Sequence, residues 1–217
     1  MNIEQARFNM IEQQIRPWDV LDADVLELLL VVKRENYVPA AHKNLAFVDS
    51  EIPLGGGAAM FTPKIEARLL QDVNLKKHES VLEIGTGSGY MAALLAHKGR
   101  HVTTVEIAPE LKLLAERNLA ANAVGNVTVE LGNGAQGWAN GAPFDVIVIS
   151  GALPVLPDAF LTQLKVGGRL AAIVGAAPAM KAQLITRTGE ASYDTVTLFE
   201  TDVAYLQHAT TPSTFTF

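Results

Sequence analysis

The stretch that decides the fold is VLEIGTGSGY, residues 81–90, in which glycine occupies positions 85, 87 and 89. The apolar residues before the glycines are typical of a buried strand, and those after them are typical of a helix. Glycine loses more conformational entropy on folding than any other residue. Three glycines at a strand–helix turn therefore indicate that another molecule lies close to the backbone, where the free N–H groups of the helix can bind it.

The chain from residue 80 onwards alternates between strand patterns and helix patterns. A continuous apolar run such as FDVIVIS, residues 144–150, is typical of the centre of a parallel sheet. The last pattern, residues 182–206, predicts two antiparallel strands around a glycine turn. The alternation predicts an α/β fold with a doubly wound sheet of seven strands, mostly parallel and ending in an antiparallel hairpin. The other predicted strands are 80–85, 101–107, 126–131 and 169–175.

The N-terminal part predicts a helical extension. Apolar spacing indicates one helix over residues 3–16, ended by Pro17, and a second from the N-cap Asp22 to about Arg34. A polar loop rich in proline and glycine follows over residues 36–63, and a helix begins at Pro63. We expect a single domain, 1–217, made of N-terminal helices and a substrate loop (1–76) and a core (77–217). The tail from residue 209 is expected to be poorly ordered.

The composition excludes several classes of function. Hydrophobic residues make up 49 % of the 217 residues, and the net charge is −6 without any basic block, which argues against a nucleic-acid partner. The chain has no cysteine, and Gly99 separates His97 from His101, so no metal site is expected. The N-terminus lacks the pattern of a signal peptide, and VLELLLVV is too short to span a membrane. We expect a cytoplasmic protein without a membrane partner.

Two carboxylates flank the glycine turn in the sequence. Glu83 lies two residues before Gly85, and Glu106 ends the second strand, 21 residues after Gly85. A carboxylate at that strand end can accept hydrogen bonds from both hydroxyls of a ribose. The spacing G-x-G-x-G differs from the G-x-G-x-x-G of dinucleotide sites, which makes NAD(P) a weaker hypothesis than another nucleoside ligand.

Two further positions lie at the same predicted edge of the sheet. Asn133 and Gly134 follow the third strand, where an amide can bond an adenine amine and glycine leaves room for the ring. An ordinary Asn-Gly turn is the alternative. Ser150 ends the FDVIVIS strand, where reacting groups gather in such sheets, although a simple strand-end hydroxyl is an equal interpretation.

The combination of E-x-G-x-G-x-G with Glu106 resembles class I S-adenosylmethionine (SAM) methyltransferases, which have a Rossmann-like fold. This resemblance implies SAM as the cofactor, S-adenosylhomocysteine as the product, and Thr86, Ser88 and Ile107 as further cofactor-binding residues. Together with VKRENYVP (32–39), DSEIPLGGGAAMFTP (49–63) and GNGAQGW (132–138), the chain more closely resembles the protein-L-isoaspartate (D-aspartate) O-methyltransferase family.

That resemblance implies methyl transfer to the free carboxylate of isoaspartyl residues in damaged proteins or peptides. The carboxylate is ionised at neutral pH, so its attack needs no general base. The substrate loop would be the segment that contains Gly55, Gly57, Ala59, Phe61 and Pro63.

The sequence departs from the family in this loop. The family has a T-x-S-x-P pattern, whereas the corresponding positions here are Ala59 and Phe61, and the nearest hydroxyl is that of Thr62. We predict catalytic roles for Thr62 and Ser150, and we keep three hypotheses. The protein is a repair enzyme that uses Thr62 or backbone N–H groups, a methyltransferase for another, small-molecule acceptor, or a SAM-binding protein without transfer activity.

Overall fold

The N-terminal segment of the computed structural model, which describes residues 2–211, is helical. Helix α1, Ile3–Met10, continues through a π-helical turn, Ile11–Ile15, and a 3₁₀ turn, Arg16–Trp18. Pro17 does not end the helical path as predicted, because it lies in the first turn of the 3₁₀ segment, where its missing N–H has no cost. The N-terminal helices pack into the main hydrophobic cluster.

Helix α2, Ala23–Val31, begins as predicted and ends earlier than predicted. Asp22 is its N-cap, and the side chain accepts hydrogen bonds from the N–H groups of Asp24 (2.9 Å) and Val25 (3.2 Å). The backbone becomes extended at Val32, so Arg34 lies in a separate 3₁₀ turn, Arg34–Asn36.

The predicted polar loop, 36–63, contains regular structure that the sequence analysis missed. A 3₁₀ helix, Ala40–Leu45, precedes a small antiparallel hairpin formed by β1, Ile52–Gly55, and β2, Ala58–Met60. Gly55, Gly56 and Gly57 all have positive φ, which is what a tight turn between such strands requires. Helix α3, Pro63–Asp72, begins at the predicted proline.

The seven-stranded sheet confirms the predicted fold class. Its order is β5-β4-β3-β6-β7-β8-β9, and every pair is parallel except β7–β8 and β8–β9. The strands are β3 Ser80–Ile84, β4 His101–Glu106, β5 Val127–Leu131, β6 Phe144–Leu153, β7 Leu164–Val174, β8 Met180–Arg187 and β9 Tyr193–Thr201. The connecting helices are α4 Tyr90–Lys98, α5 Pro109–Ala121 and α6 Asp158–Thr162.

The side chains of β6 show why its sequence is apolar throughout. Val146 and Val148 pack into the cluster that contains the N-terminal helices, and Ile147 and Ile149 pack into a second cluster with Phe160 of α6. Both faces of the central strand are therefore covered, as expected for a parallel sheet. The first cluster joins the N-terminal helices to the sheet, and the division of a single domain into 1–76 and 77–217 stays a prediction. Residues 212–217 of the predicted tail lie outside the described residues.

The order of the strands fixes the position of the candidate site. The chain moves from β3 outwards to β4 and β5, and then returns to the other side of β3 to form β6. Ligands of open α/β sheets bind at this point of reversal, beyond the carboxyl ends of the strands. In the segment from residue 2 to residue 211, no helix has the length and apolar character needed to cross a bilayer.

The Gly134→Ala variant tests whether packing alone requires glycine beyond β5. A Cβ at Gly134 would lie 2.7 Å from Ile84 Cδ1 and 3.0 Å from Ile84 Cγ2. We expect the substitution to lower the free energy of unfolding by about 2 kcal/mol in urea titrations without ligand. Gly125→Ala is the matched control, because a Cβ there has no heavy atom within 4 Å. Equal effects of the two substitutions would contradict this packing argument.

Candidate cofactor and acceptor cleft

A cleft with two connected lobes lies at the carboxyl ends of β3, β4 and β6. Both lobes are lined by Ala59, Phe61, Gly85, Gly87 and Ser150. The inner lobe is also lined by Leu54, Met60, Glu66, Glu83, Thr86, Ser88, Tyr90 and Met91. The outer lobe is also lined by Glu51, Ala58, Glu106, Ile107, Gly151, Ala204 and Gln207.

The three glycines of the turn have positive φ but serve two different purposes. A Cβ at Gly85 would lie 3.0 Å from the carbonyl oxygen of Ser150, and one at Gly87 would lie 3.1 Å from Leu54 Cδ1. These two glycines line the cleft, as predicted for cofactor-binding positions. Gly89 instead is the N-cap residue of α4, and its Cα packs against Ala115 of α5.

Glu83 lies beneath the glycine turn and is fully buried. Its Oε1 accepts a hydrogen bond from Ser150 Oγ (2.8 Å), and its Oε2 accepts one from Thr104 Oγ1 (2.7 Å). The hydroxyl of Thr104 in turn lies 2.7 Å from that of Thr86. Ser150 and Thr86 are therefore held by a chain of hydroxyl groups that centres on Glu83.

Burial raises the pKa of the Glu83 carboxyl to about 8, although hydrogen bonds from Thr104 and Ser150 oppose the shift. The nearby carboxyls of Glu106 and Glu66 raise it further. The charged form is disfavoured because, within residues 2–211, no cation contributes to the environment of Glu83 and replaces its hydration. The raised pKa favours the protonated form of Glu83 at neutral pH, and in that form one carboxyl oxygen donates to its hydroxyl partner instead of accepting from it.

Glu106 has the position predicted for it at the end of β4, and it is nearly buried. Its Oε2 accepts from the N–H of Gly87 (2.9 Å), and its Oε1 accepts from the N–H groups of Ile107 (2.9 Å) and Ala108 (3.0 Å). A carboxylate has about four acceptor positions. Glu106 therefore fixes the glycine turn against β4 and retains acceptor capacity toward the outer lobe.

Asn133 and Gly134 lie outside the lining of both lobes. The Asn133 side chain is exposed, and its Oδ1 accepts from the N–H of Ala135 (3.0 Å), which is the bond of an Asx turn. The absence of a side chain at Gly134 is required by Ile84, as described above. Local structure alone thus explains why asparagine and glycine occupy these two positions. Their contact with adenine stays a prediction.

The substrate loop places Phe61 in the cleft and Thr62 outside its lining. The Phe61 side chain is 6 % exposed and forms part of both lobes. Thr62 is the residue before α3, and its Oγ1 is buried without a hydrogen-bond partner among the residues that the structure describes. Gly55, Gly57 and Pro63 shape the hairpin and the helix start, whereas Ala59 lines both lobes.

A buried arginine fixes this loop from behind. Arg34 is fully buried and donates from Nη2 to the carbonyl oxygen of Phe61 (2.6 Å), from Nη1 to that of Ala46 (3.1 Å), and from Nε to Glu66 Oε2 (3.0 Å). The guanidinium carbon also lies 5.7 Å from the ring centroid of Tyr90. One side chain therefore joins the loop, α3 and the start of α4.

The C-terminal segment closes one side of the outer lobe. The N–H of Leu206 donates to the carbonyl oxygen of Ala152 (2.9 Å), and the Leu206 side chain fills the space beside Gly85 and Gly151. Gln207 Nε2 donates to the carbonyl oxygen of Gly56 (3.1 Å). The segment after β9 thus contacts both β6 and the hairpin.

Sequence reasoning missed Glu66, Arg34 and the C-terminal contacts. Glu66 carried a readable signal, because it lies among Ile65, Ala67, Leu69 and Leu70 on the buried side of α3. A charged residue on the apolar side of a helix is rarely buried without a partner or a role. The hairpin and the contacts after β9 depend on long-range packing, and no local pattern indicates them. Within residues 2–211, no group of three potential metal ligands was found.

Comparisons with known proteins agree with this architecture. The profile of the family described as protein-L-isoaspartate(D-aspartate) O-methyltransferase matches residues 5–209. A protein-L-isoaspartate O-methyltransferase 1 of Rhodopseudomonas palustris (strain HaA2) is 42 % identical over 190 residues, which is 88 % of this chain and 77 % of that protein. A protein-L-isoaspartate O-methyltransferase of Gloeobacter violaceus is 42 % identical over 166 residues, covering 76 % of this chain and 81 % of that protein.

Two solved structures have the same fold as this chain. A protein-L-isoaspartate O-methyltransferase with 25 % identity superposes with a TM-score of 0.77 over 92 % of this chain, although this chain spans only 65 % of that one. The homologue from Plasmodium falciparum, solved in complex with S-adenosyl-L-homocysteine, has a TM-score of 0.80 and 19 % identity, covering 95 % of this chain and 99 % of that one.

The strand order, the glycine turn and the acidic end of β4 define a Rossmann-like methyltransferase fold. The predicted fold class and the family resemblance are both confirmed. The chain belongs to the protein-L-isoaspartate (D-aspartate) O-methyltransferase family.

The Glu83 carboxyl gives a test of the buried network through pH. Its pKa is about 8 in the folded protein and 4.5 without burial, so the folded state binds more protons between these values. The stabilisation is complete below pH 4.5 and is lost as the pH rises toward 8. We expect urea titrations to show that wild type loses about 3 kcal/mol more than Glu83→Gln between pH 5 and 8. Parallel pH profiles would contradict the assignment of a raised pKa to Glu83.

Proposed function

We propose that this protein transfers the methyl group of SAM to the free carboxylate of isoaspartyl residues in damaged proteins. The main observation behind the proposal is that Gly85 and Gly87 of the glycine turn line a cleft that is also lined by the hairpin β1–β2. Membership of the family supports the reaction, because its members at 42 % identity carry the name of that activity. A negative net charge and the absence of a basic block support a protein partner rather than a nucleic acid. The proposal includes a cytoplasmic location.

The residues of the cleft fit SAM. Gly85 and Gly87 are partly exposed and line both lobes without a side chain, and the N-terminus of α4 adds N–H groups. Glu106 and Ile107 would hold the ribose in the outer lobe, with Asn133 and Gly134 near the adenine. Thr86 and Ser88 would complete the turn around the amino-acid end. The cofactor supplies a methyl group activated by its sulfonium charge.

The protein would accelerate the reaction mainly by positioning. The acceptor carboxylate, of pKa about 3.9, is already ionised at neutral pH, so the cleft needs no general base. Aligning its oxygen with the methyl carbon and the sulfur supplies the proximity effect. The hairpin and the segment of Leu206 and Gln207 would exclude water from the reacting atoms.

The geometry of the cleft indicates that the substrate carboxylate would be held by hydrogen-bond donors other than a loop hydroxyl. Ser150 lines both lobes, but its hydroxyl donates to Glu83. It would therefore donate a hydrogen bond to the methyl acceptor only after the network around Glu83 rearranges. Thr62 would have to turn toward the cleft, which its side chain does not line. Ser150 and the backbone N–H groups of the loop are therefore the donors that we favour.

One observation favours a second candidate function, methyl transfer to a small-molecule acceptor with an apolar group. Phe61 and Ala59 occupy the loop positions where the family has hydroxyls, and Leu54, Met60 and Met91 extend the apolar lining of the inner lobe. An aromatic wall of this kind packs well against an apolar or ring-containing acceptor.

Labelled SAM with an isoaspartyl peptide, beside the matching aspartyl peptide, tests the reaction. We expect methylation of the isoaspartyl peptide alone, and an increase of about tenfold in kcat/KM for Phe61→Ser, since a donated hydrogen bond to a charged group contributes about 1.5 kcal/mol or more. Phe61→Leu is the control, because it shortens the side chain without adding a donor. Cofactor binding without methylation by either wild type or Phe61→Ser would exclude the repair reaction.

The role of Glu106 is tested by calorimetry with S-adenosylhomocysteine. Glu106→Ala removes the acceptor for the ribose hydroxyls and releases the N–H of Gly87, so we expect affinity to fall about tenfold or more. Glu110→Ala, at an exposed position in the first turn of α5, is the matched control. Unchanged affinity in Glu106→Ala would contradict its place in the cofactor site.

A further inference from the structure

The inner lobe contains a carboxylate to which neither the sequence motifs nor the family resemblance gives a role. Glu66 of α3 is 3 % exposed and lies among apolar side chains of that helix, yet it lines the inner lobe beside the glycine turn. Carboxylates are seldom this deeply buried unless a partner compensates the lost hydration.

Arg34 satisfies Glu66 only in part. Within the described residues, Glu66 accepts one hydrogen bond, from Arg34 Nε to Oε2 at 3.0 Å. The terminal nitrogens of Arg34 donate to the carbonyl oxygens of Phe61 and Ala46 instead. A carboxylate can accept about four hydrogen bonds. Glu66 therefore has unused acceptor capacity at the wall of the lobe.

The other polar groups of the inner lobe do not supply a cation. Its polar side chains are the carboxyls of Glu66 and Glu83 and the hydroxyls of Thr86, Ser88, Tyr90 and Ser150; among the residues described, no lysine, arginine or histidine lines it. Glu83 uses both carboxyl oxygens for Ser150 and Thr104. Of the two carboxyls that line the inner lobe, Glu66 is thus the one with free acceptor positions.

Tyr90 provides an independent indication of a ligand. Its side chain is 2 % exposed and lines the same lobe, and its hydroxyl has no hydrogen-bond partner among the described residues. An unpartnered buried hydroxyl costs about 1–3 kcal/mol, so such a group is expected to meet a ligand. The inner lobe therefore offers a free donor next to a free carboxylate acceptor.

We propose that the inner lobe is an ammonium subsite, in which Glu66 binds the α-amino group of the amino-acid end of the cofactor. This inference rests on the proposed function, since it assigns a charged contact to the SAM site. The Tyr90 hydroxyl is a side-chain donor without a partner among the described residues, and it is available to the carboxylate of the same amino-acid end. Ala59 and Phe61 offer that carboxylate no hydroxyl from the loop, so the ammonium contributes more to affinity than the carboxylate.

Three adenosyl ligands separate these contributions by calorimetry. 5′-Methylthioadenosine lacks both charged groups, 5′-deoxy-5′-(3-aminopropylthio)adenosine keeps only the ammonium, and S-adenosylhomocysteine has both. We expect wild type to bind the aminopropyl ligand about tenfold tighter than methylthioadenosine, because a charge-assisted hydrogen bond is about twice as strong as a neutral one. S-adenosylhomocysteine should bind only about twofold to threefold tighter than the aminopropyl ligand.

Glu66→Gln is the decisive variant, because glutamine keeps the size of the side chain and removes the charge. We expect it to lose most of the tenfold advantage of the aminopropyl ligand while it binds methylthioadenosine within about twofold of wild type. The retained affinity for methylthioadenosine shows that the variant is folded. Glu79→Gln is the matched control, since it weakens a partly buried pair, with Arg169, at the amino end of β3 and away from the cleft.

The outcomes distinguish this inference from the proposed function. Equal affinity of wild type for methylthioadenosine and the aminopropyl ligand, or an undiminished advantage in Glu66→Gln, overturns the ammonium subsite and leaves the SAM site intact. A wild-type protein that binds none of the three ligands overturns the SAM site itself. A loss of the advantage in both Glu66→Gln and Glu79→Gln overturns the specific role of Glu66, because it indicates a general effect of weakening a buried pair.

Discussion

The close approach of the β3 turn to β6 is the constraint on which the rest of the site depends. A Cβ at Gly85 would lie 3.0 Å from the carbonyl oxygen of Ser150, so these strand ends can meet only if residue 85 has no side chain. The same approach brings Ser150 Oγ to 2.8 Å from Glu83. One contact between strand ends thus fixes the relative positions of the turn backbone, the buried carboxyl and the serine hydroxyl. All three line the cleft.

The sequence allowed the core of the fold to be predicted because its signals are local. The apolar run of β6 and the glycine turn each specify their own conformation, and short parallel connections leave few possible topologies. Glu106 was located for the same reason, since a strand end can be read from the chain. Its three N–H contacts were not, because they depend on the turn at Gly87 lying beside β4.

The N-terminal third was harder to predict because its structure depends on distant partners. The hairpin after residue 51 is short, and glycine-rich segments of this kind are equally compatible with an irregular loop. Its position is fixed by Arg34 behind Phe61 and by Gln207 at Gly56, which are contacts between residues far apart in sequence. Local propensity carries no information about such contacts. Asn133 shows the opposite case, in which a local Asx turn explains a residue that also suits a ligand role.

Phe61, at the position where the family pattern predicts a serine, is better understood together with Glu66 than alone. Arg34 binds the main chain of Phe61 and the side chain of Glu66 at once, so the loop and the carboxylate share one rigid support. Because Arg34 contacts the carbonyl oxygen of residue 61 and not its side chain, that side chain can vary while the loop keeps its path. The acceptor wall can therefore change chemistry without disturbing the cofactor side of the cleft. This separation is consistent with a chain that has Ala59 and Phe61 in its loop together with the complete glycine turn and Glu106.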